Sequence, residues 1–514
     1  MRFSLLILVV LLFQCSPEET EQNSSTFTDP FTEMDYGPFE VGYQTDFLID
    51  KSRPHVDLAN WDGKLFKGEV LPGRALAVHL WYPATGGQQI TYGNYVDLML
   101  AQSETDPNAS LGKEFYLKQA LALGGDSTIT MEKLEPIWDL PVNASLGAEP
   151  VQGYYPLIIF PNGGTPAYNS IMCEYMASHG YIVAGVSLNG PESTVIDANV
   201  RGLEVAVDDM EFVLQHLLEM ESVNPDKIGL LANAIESSFS AALVSRNEKI
   251  KALVSLEGGF LSRFEQEILN QTVFYQPEKL DIPILSIYSP HPSISPRYID
   301  HLHYSDRYYA RYPQMSEFHF INFGMLEEIV PGIIGPVEGD PEKGFISGSQ
   351  LILAFFDAKL KNESNDLRDA YMGGKHPEET DSVYYYPGKP APPSITQLKA
   401  VFIEEGMEGI DSIYQYHKGI GDETPFSPDF YADFKNWLAW KKDPEYKSRL
   451  KLYELAVDSY PGNSLHNYLL GAYLERNGES GRPYFLKSRE LLDSDASLDV
   501  ALREELRAAL QDRL

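Results

Sequence analysis

Pro156-Leu-Ile-Ile-Phe160 runs directly into Pro161-Asn162-Gly163-Gly164-Thr165. A short unbroken apolar run closed by Pro, Asn and Gly reads as a strand buried on both faces and stopped by a loop. Working outward, the pattern repeats. A helical stretch follows, then the apolar run His179-Gly-Tyr-Ile-Val-Ala-Gly-Val186. A long amphipathic helix over about 200–218 leads to Lys227-Ile-Gly-Leu-Leu231, and Ala252-Leu-Val-Ser-Leu256 and Ile282-Pro-Ile-Leu-Ser-Ile-Tyr288 continue the series. Apolar strands alternating with helices specify an α/β domain with a mostly parallel sheet covered on both faces. Upstream, Phe47–Asp50 and Ala75–Tyr82 read as strands, and 84–150 as an insertion with a helix around 95–102. A last strand around 318–323 and a helix over 351–361 are expected to close the domain, which then spans 36–365.

The ends of the chain carry separate signals. Arg2 precedes the apolar run Leu5–Phe13, and Cys15 follows directly after Gln14. Nine apolar residues fall short of the roughly 20 that span a bilayer, but they suit the core of an export signal. Residues 1–15 resemble a bacterial lipoprotein signal whose Cys15 is acylated. The acidic, Ser/Thr/Asn-rich stretch 16–35 resembles the tether of surface lipoproteins in the Bacteroidetes. The expected location is exported, at the outer membrane or in the periplasm, with the membrane met through the lipid. After lipidation only Cys173 is left, so no disulfide within the chain is expected, and its helical context suits a core thiol. At the other end, 366–393 is rich in Gly, Pro and Tyr and reads as a linker, and 394–514 as helical. The Leu470-Gly471, Gly478 and Pro461 spacings are similar to tetratricopeptide repeats. The net charge of −34 argues against a nucleic-acid partner.

A resemblance rests on several stretches. Thr45, Leu48, Asp50 and Ser52-Arg53, then Arg74 and Leu80-Trp-Tyr-Pro-Ala84, resemble the N-terminal signature of platelet-activating-factor acetylhydrolase-like esterases, close to dienelactone-hydrolase-like proteins. Cys173-Glu-Tyr-Met-Ala-Ser-His-Gly-Tyr-Ile-Val183, Asp226-Lys-Ile-Gly229 and Ala354-Phe-Phe-Asp357 resemble further segments of the same family. The resemblance covers about residues 40–362 and implies the α/β-hydrolase fold. That chemistry needs a nucleophile on a tight strand-to-helix turn written G-x-S-x-G, a His to take its proton, an acid behind the His, and backbone donors for the oxyanion.

Here the motif reads Ala232-Asn233-Ala234-Ile235-Glu236. Ala234 occupies the nucleophile slot and Glu236 a slot that favours Gly. The resemblance places Glu257 in the acid slot, and Asn162, Gly163 and Ile235 at the oxyanion loop. A base is expected near 320–326, where no His stands. The expectation is a degenerate pseudo-hydrolase that binds a small ester-like ligand or an envelope protein. One alternative is an active carboxylester hydrolase using a displaced Ser238, with His319 or His303 as base. Against it stands the reading of Ser237, Ser238 and Ser240 as first-turn helix residues that cap or meet solvent. Another alternative is an envelope interaction protein acting through the C-terminal helices. Cys173 lies outside the turn, no His/Cys/Asp cluster has metal-ligand spacing, and no cofactor is expected.

Overall fold

The computed structural model describes residues 31–514 apart from 54, 57–69, 72, 102–110, 126, 163–165, 193–195, 336–337, 364 and 441–446. Cys15, the proposed signal, most of the tether and Gly163 therefore lie outside the described residues.

The strands are β1 (Glu40–Asp50), β2 (His55–Val56), β3 (Val70–Leu71), β4 (Arg74–Thr85), β5 (Gln88–Thr91), β6 (Pro141–Leu146), β7 (Glu149–Pro150), β8 (Tyr155–Asn162), β9 (Ile182–Ser187), β10 (Val223–Asn233), β11 (Ile250–Leu256), β12 (Ile284–Tyr288), β13 (Arg307–Arg311) and β14 (Ser382–Tyr386). All but the β2–β3 ribbon join one sheet in the order β14-β13-β12-β11-β10-β8-β9-β4-β1-β6-β5, with β7 beside β4. From β9 through β13 the pairing is parallel, and β4 runs antiparallel to both β9 and β1. This is the strand order of the α/β-hydrolase fold. Leu157, Ile158, Ile159 and Phe160 are fully buried, as their uninterrupted apolar run requires.

The helices of the main domain are α1 (Tyr92–Asp97), α2 (Gly112–Ala122), α3 (Met131–Trp138), α4 (Pro166–Ser178), α5 (Val200–Leu217), α6 (Ala234–Arg246), α7 (Arg263–Leu269), α8 (Phe323–Leu326), α9 (Pro341–Phe356) and α10 (Asn365–Met372). Two cores sandwich the sheet. α5 and α6 bury Leu203, Val207, Met210, Phe239 and Leu243 on one face; α4, α9 and the α1–α3 insertion close the other with Tyr95, Tyr116, Ile171 and Phe355. Apolar periodicity and the Asn199 side chain, which accepts from the Gly202 N–H at 2.9 Å, set α5. Gly229 is required by packing: a Cβ there would lie 2.6 Å from the Phe356 ring.

Two expectations are corrected. Residues 318–323 form no strand; they make a 3-10 turn over Glu317–Phe320 and the start of α8, and the last parallel strand is β13, where Tyr308 and Tyr309 alternate across the sheet. The stretch 366–393, expected as a linker, contributes β14, an antiparallel edge strand in which Tyr384 and Tyr385 stack on Tyr309 and Tyr308. Beyond it, α11 (Ile395–Gly419), α12 (Pro428–Trp440), α13 (Lys447–Ser459), α14 (Ser464–Arg476), α15 (Arg482–Leu491) and α16 (Val500–Gln511) bury their own apolar clusters. They meet the main domain where the Tyr304 hydroxyl donates to Asp422 at 2.6 Å and Lys389 Nζ to the Gly421 carbonyl at 2.6 Å.

Candidate functional site

Parallel strands place their C-terminal ends along one edge, and loops there carry the chemistry of such sheets. β10 and β11 are in register from Ala232 opposite Ser255 to Asn233 opposite Leu256. The next residues, Ala234 and Glu257, therefore emerge side by side. Both hold left-handed backbone, at φ 42° and 40°. Non-glycine residues take that region at a cost of roughly 1–2 kcal/mol. Gly259 presses the acid loop against the turn, since a Cβ on it would lie 2.8 Å from the Ala234 carbonyl oxygen. The tight strand-to-helix turn is thus present at Ala234, with a methyl group where the fold's nucleophile would need an oxygen. Ile235 and Glu236 follow in the first turn of α6, both half-buried.

Glu257 is buried, and both carboxyl oxygens are engaged by one residue. The Ser289 N–H and hydroxyl each donate to it at 2.7 Å. Those donors favour the carboxylate. Burial outweighs them, and with a small contribution from the nearby Glu317 carboxylate it pushes the group up to about 7. In a working triad this carboxylate would receive an imidazole N–H. Its two hydrogen bonds here instead join the end of β11 to the loop after β12.

His319 lies past the end of β13, on the same edge of the sheet as Ala234, but inside the 3-10 turn rather than in a strand. The Ser316 N–H donates to its Nδ1 at 3.0 Å. Nδ1 is therefore the acceptor, and the neutral ring carries its proton on Nε2. That Nε2–H is buried with no hydrogen-bond partner among the described residues. Burial pushes the imidazolium pKa down to about 4, so the ring is neutral at pH 7. A triad base has the opposite tautomer, with Nδ1–H toward the acid and Nε2 free to accept. His303 is further removed: it precedes β13 at the strand-start edge, where neighbouring Ser305 bonds the Leu280 carbonyl.

Ser238 does not reach the turn. It sits in α6 four residues past Ala234, fully buried, and its Oγ has no hydrogen-bond partner among the described residues. Ser237 and Ser240 are also buried rather than solvated, and the Ser237 hydroxyl donates back to the Ala232 carbonyl at 3.1 Å. Asn162 ends β8 on the same edge, immediately before the stretch 163–165. Cys173 is a buried core thiol, its pKa pushed well up by burial.

Sequence reasoning passed over Ser289, which has no motif and is found only through Glu257, and Asn322. Asn322 Nδ2 donates to the Ala167 carbonyl at 2.7 Å and its Oδ1 accepts from the Ile171 N–H at 3.2 Å. It thereby ties the segment after β13 to the start of α4. Among the described residues no cluster of three or more His, Cys, Asp or Glu side chains is placed to hold a metal, and no helix is long and apolar enough to cross a membrane.

No family model matches the chain, and no curated protein matches it. Among solved structures, a ferulic acid esterase from Streptomyces cinnamoneus is similar at 19% identity and a TM-score of 0.47, over 68% of this chain and 96% of that one. The acylaminoacyl peptidase of Pyrococcus horikoshii is similar at 18% identity and a TM-score of 0.33, over 42% of this chain and 39% of that one. The strand order, and not these partial superpositions, carries the assignment of the fold.

Proposed function

We propose that this chain is a catalytically degenerate member of the α/β-hydrolase fold that binds a small ester-like ligand at the strand-end edge around Ala234 and does not cleave it through a covalent intermediate. The observation that carries this reading is Ala234 at φ 42° on the strand-to-helix turn. The turn that presents a nucleophile is kept and the nucleophile is not. The Ser289 bonds to Glu257 and the tautomer of His319 support it, because neither group is set up to relay a proton. We further propose that the chain is exported and anchored through an acyl group on Cys15, with the C-terminal helices free to act as a repeat-like partner surface; mass spectrometry of the N-terminal peptide of the native protein checks the anchor.

The test is a short-chain p-nitrophenyl ester assay joined to fluorophosphonate labelling and a thermal-shift measurement with the same esters. The expected result is a ligand-dependent rise in melting temperature without labelling or turnover above background. Turnover together with a label on Ser238, both lost in Ser238→Ala, would replace this reading with an active carboxylester hydrolase.

A further inference from the structure

A groove of about 420 Å³ lies between α7 and the segment after β12, and neither Ala234, Glu257 nor His319 lines it. One wall is a single face of α7, where Arg263, Gln266, Glu267 and Asn270 follow the i, i+3, i+4, i+7 spacing. The other is the 3-10 turn Pro296–Ile299 with Arg297 and Tyr298, continued by His301. The walls are fixed to each other by main-chain bonds: the Ser295 N–H donates to the Leu261 carbonyl at 2.9 Å, and Ser262 bridges Ile294. The backbone of both walls is therefore fixed by the fold, and the charged side chains stand on it.

Its charge departs from that of the whole molecule. The chain carries a net −34, yet the groove presents two guanidinium groups against one carboxylate. Arg263 pairs with Glu267 at 3.0 Å with both side chains well exposed, a pairing that is weak and readily exchanged. Arg297 is exposed and has no ion-pair partner among the described residues. His301 adds no charge. The Tyr275 hydroxyl pairs with its Nε2 at 3.0 Å, its ring bonds the Tyr298 backbone, and burial together with His303 and Arg307 lowers its pKa. Amide groups from Gln266 and Asn270 and the Tyr298 ring complete a polar lining; the Gln266 amide is itself oriented by donating to the Phe260 carbonyl at 2.6 Å.

We propose that this groove is a binding site for a small polar ligand bearing an oxyanion, a carboxylate or a phosphate, which Arg297 receives through its planar fork of donors while Arg263 releases Glu267 to share it. The volume suits one small molecule. The site is independent of Ala234 and stands or falls apart from the reading of the strand-end edge.

Calorimetric titration of the full chain at low salt with inorganic phosphate and, separately, with glucuronate tests the proposal. Saturable binding of either probe is expected, weakened about tenfold or more by Arg297→Ala and by added salt. Which probe binds separates a phosphate from a carboxylate ligand. Both substitutions in this test, Arg297→Ala and Arg263→Ala, alter exposed side chains, and unchanged melting temperatures establish that the fold is intact. Failure of both probes to saturate, or binding that neither substitution changes, overturns the proposal.

Discussion

Restoring the missing hydroxyl with Ala234→Ser is expected to recover at least about tenfold less ester turnover than the factor on the order of 10⁴ to 10⁶ that a triad lacking only its nucleophile would regain. The difference comes from the other two positions. For His319 to accept a proton from the introduced hydroxyl, its ring must move the Nε2 proton to Nδ1. That gives up the 3.0 Å bond from the Ser316 N–H, a net loss of about 0.5–1.5 kcal/mol. Glu257 must also exchange a Ser289 hydrogen bond of 2.7 Å for an imidazole N–H. Before any chemistry the two exchanges thus cost about 1–3 kcal/mol, on the order of 10- to 100-fold in rate. Initial rates on p-nitrophenyl acetate and butyrate, with fluorophosphonate titration of reactive sites, make the measurement, and an unchanged melting temperature certifies the variant. Recovery of the full factor of about 10⁴ to 10⁶, with a stoichiometric burst labelled at position 234, would refute the reasoning, because it would mean that a base stands ready where the hydrogen bonds place none.

Three further outcomes are expected. Ala234→Gly should stabilise the protein by about 0.5–1 kcal/mol in urea titrations, since relief of the left-handed backbone (roughly 1–2 kcal/mol) exceeds the added freedom of the unfolded chain (about 0.4–1 kcal/mol); a loss of stability would contradict strain at that turn. Glu257 has a folded pKa of about 7 against an ordinary 4.5, so the folded chain holds this proton more tightly than the unfolded one; its contribution is fully present below about pH 4.5 and is lost as pH rises through 7, up to about 3 kcal/mol. Glu257→Gln should flatten that part of the stability-versus-pH curve in chemical denaturation, and an unchanged slope would place the proton elsewhere. Arg74→Met should cost about 3–5 kcal/mol in the same assay, because Asp209, fully buried and paired with Arg74 at 2.7 Å, keeps among the described residues only Arg53, and adding Asp209→Leu should recover most of the loss.

The fold was legible because the central strands are buried on both faces and so read as apolar runs. Leu157–Phe160, Ile228–Leu231 and Ala252–Leu256 could be placed without knowledge of their partners. The last strand was not, because Arg307-Tyr-Tyr-Ala-Arg311 is flanked by charge and rich in Tyr, while Phe318–Phe323 looks apolar and is buried as a turn and a short helix. The same cause hid β14: the hydroxyls of Tyr384 and Tyr385 find partners in Tyr288 and Asp306, so an edge strand can be built from residues that read as linker. At the candidate site, the turn at Ala234 followed from counting residues after Gly229. The state of Glu257 and His319 did not, since it depends on Ser289 and Ser316, whose contributions include main-chain N–H groups that no side-chain pattern records.

Left-handed backbone at a non-glycine residue persists only where its surroundings fix it, and here two such residues stand at adjacent strand ends. Glu257 is fixed by its Ser289 bonds and by its own N–H, which donates to the Ile287 carbonyl at 2.8 Å. Ala234 is fixed by the entry to α6 and by the close approach of Gly259. None of these constraints involves a nucleophilic oxygen. The turn is a joint of the architecture, and its geometry does not depend on a nucleophile standing on it. Catalytic competence in this fold must therefore be judged from where the protons sit among the side chains at the strand ends. In this chain that test separates shape from reaction: one imidazole is locked as a donor, one carboxylate is bonded to a serine, and the turn between them carries a methyl group.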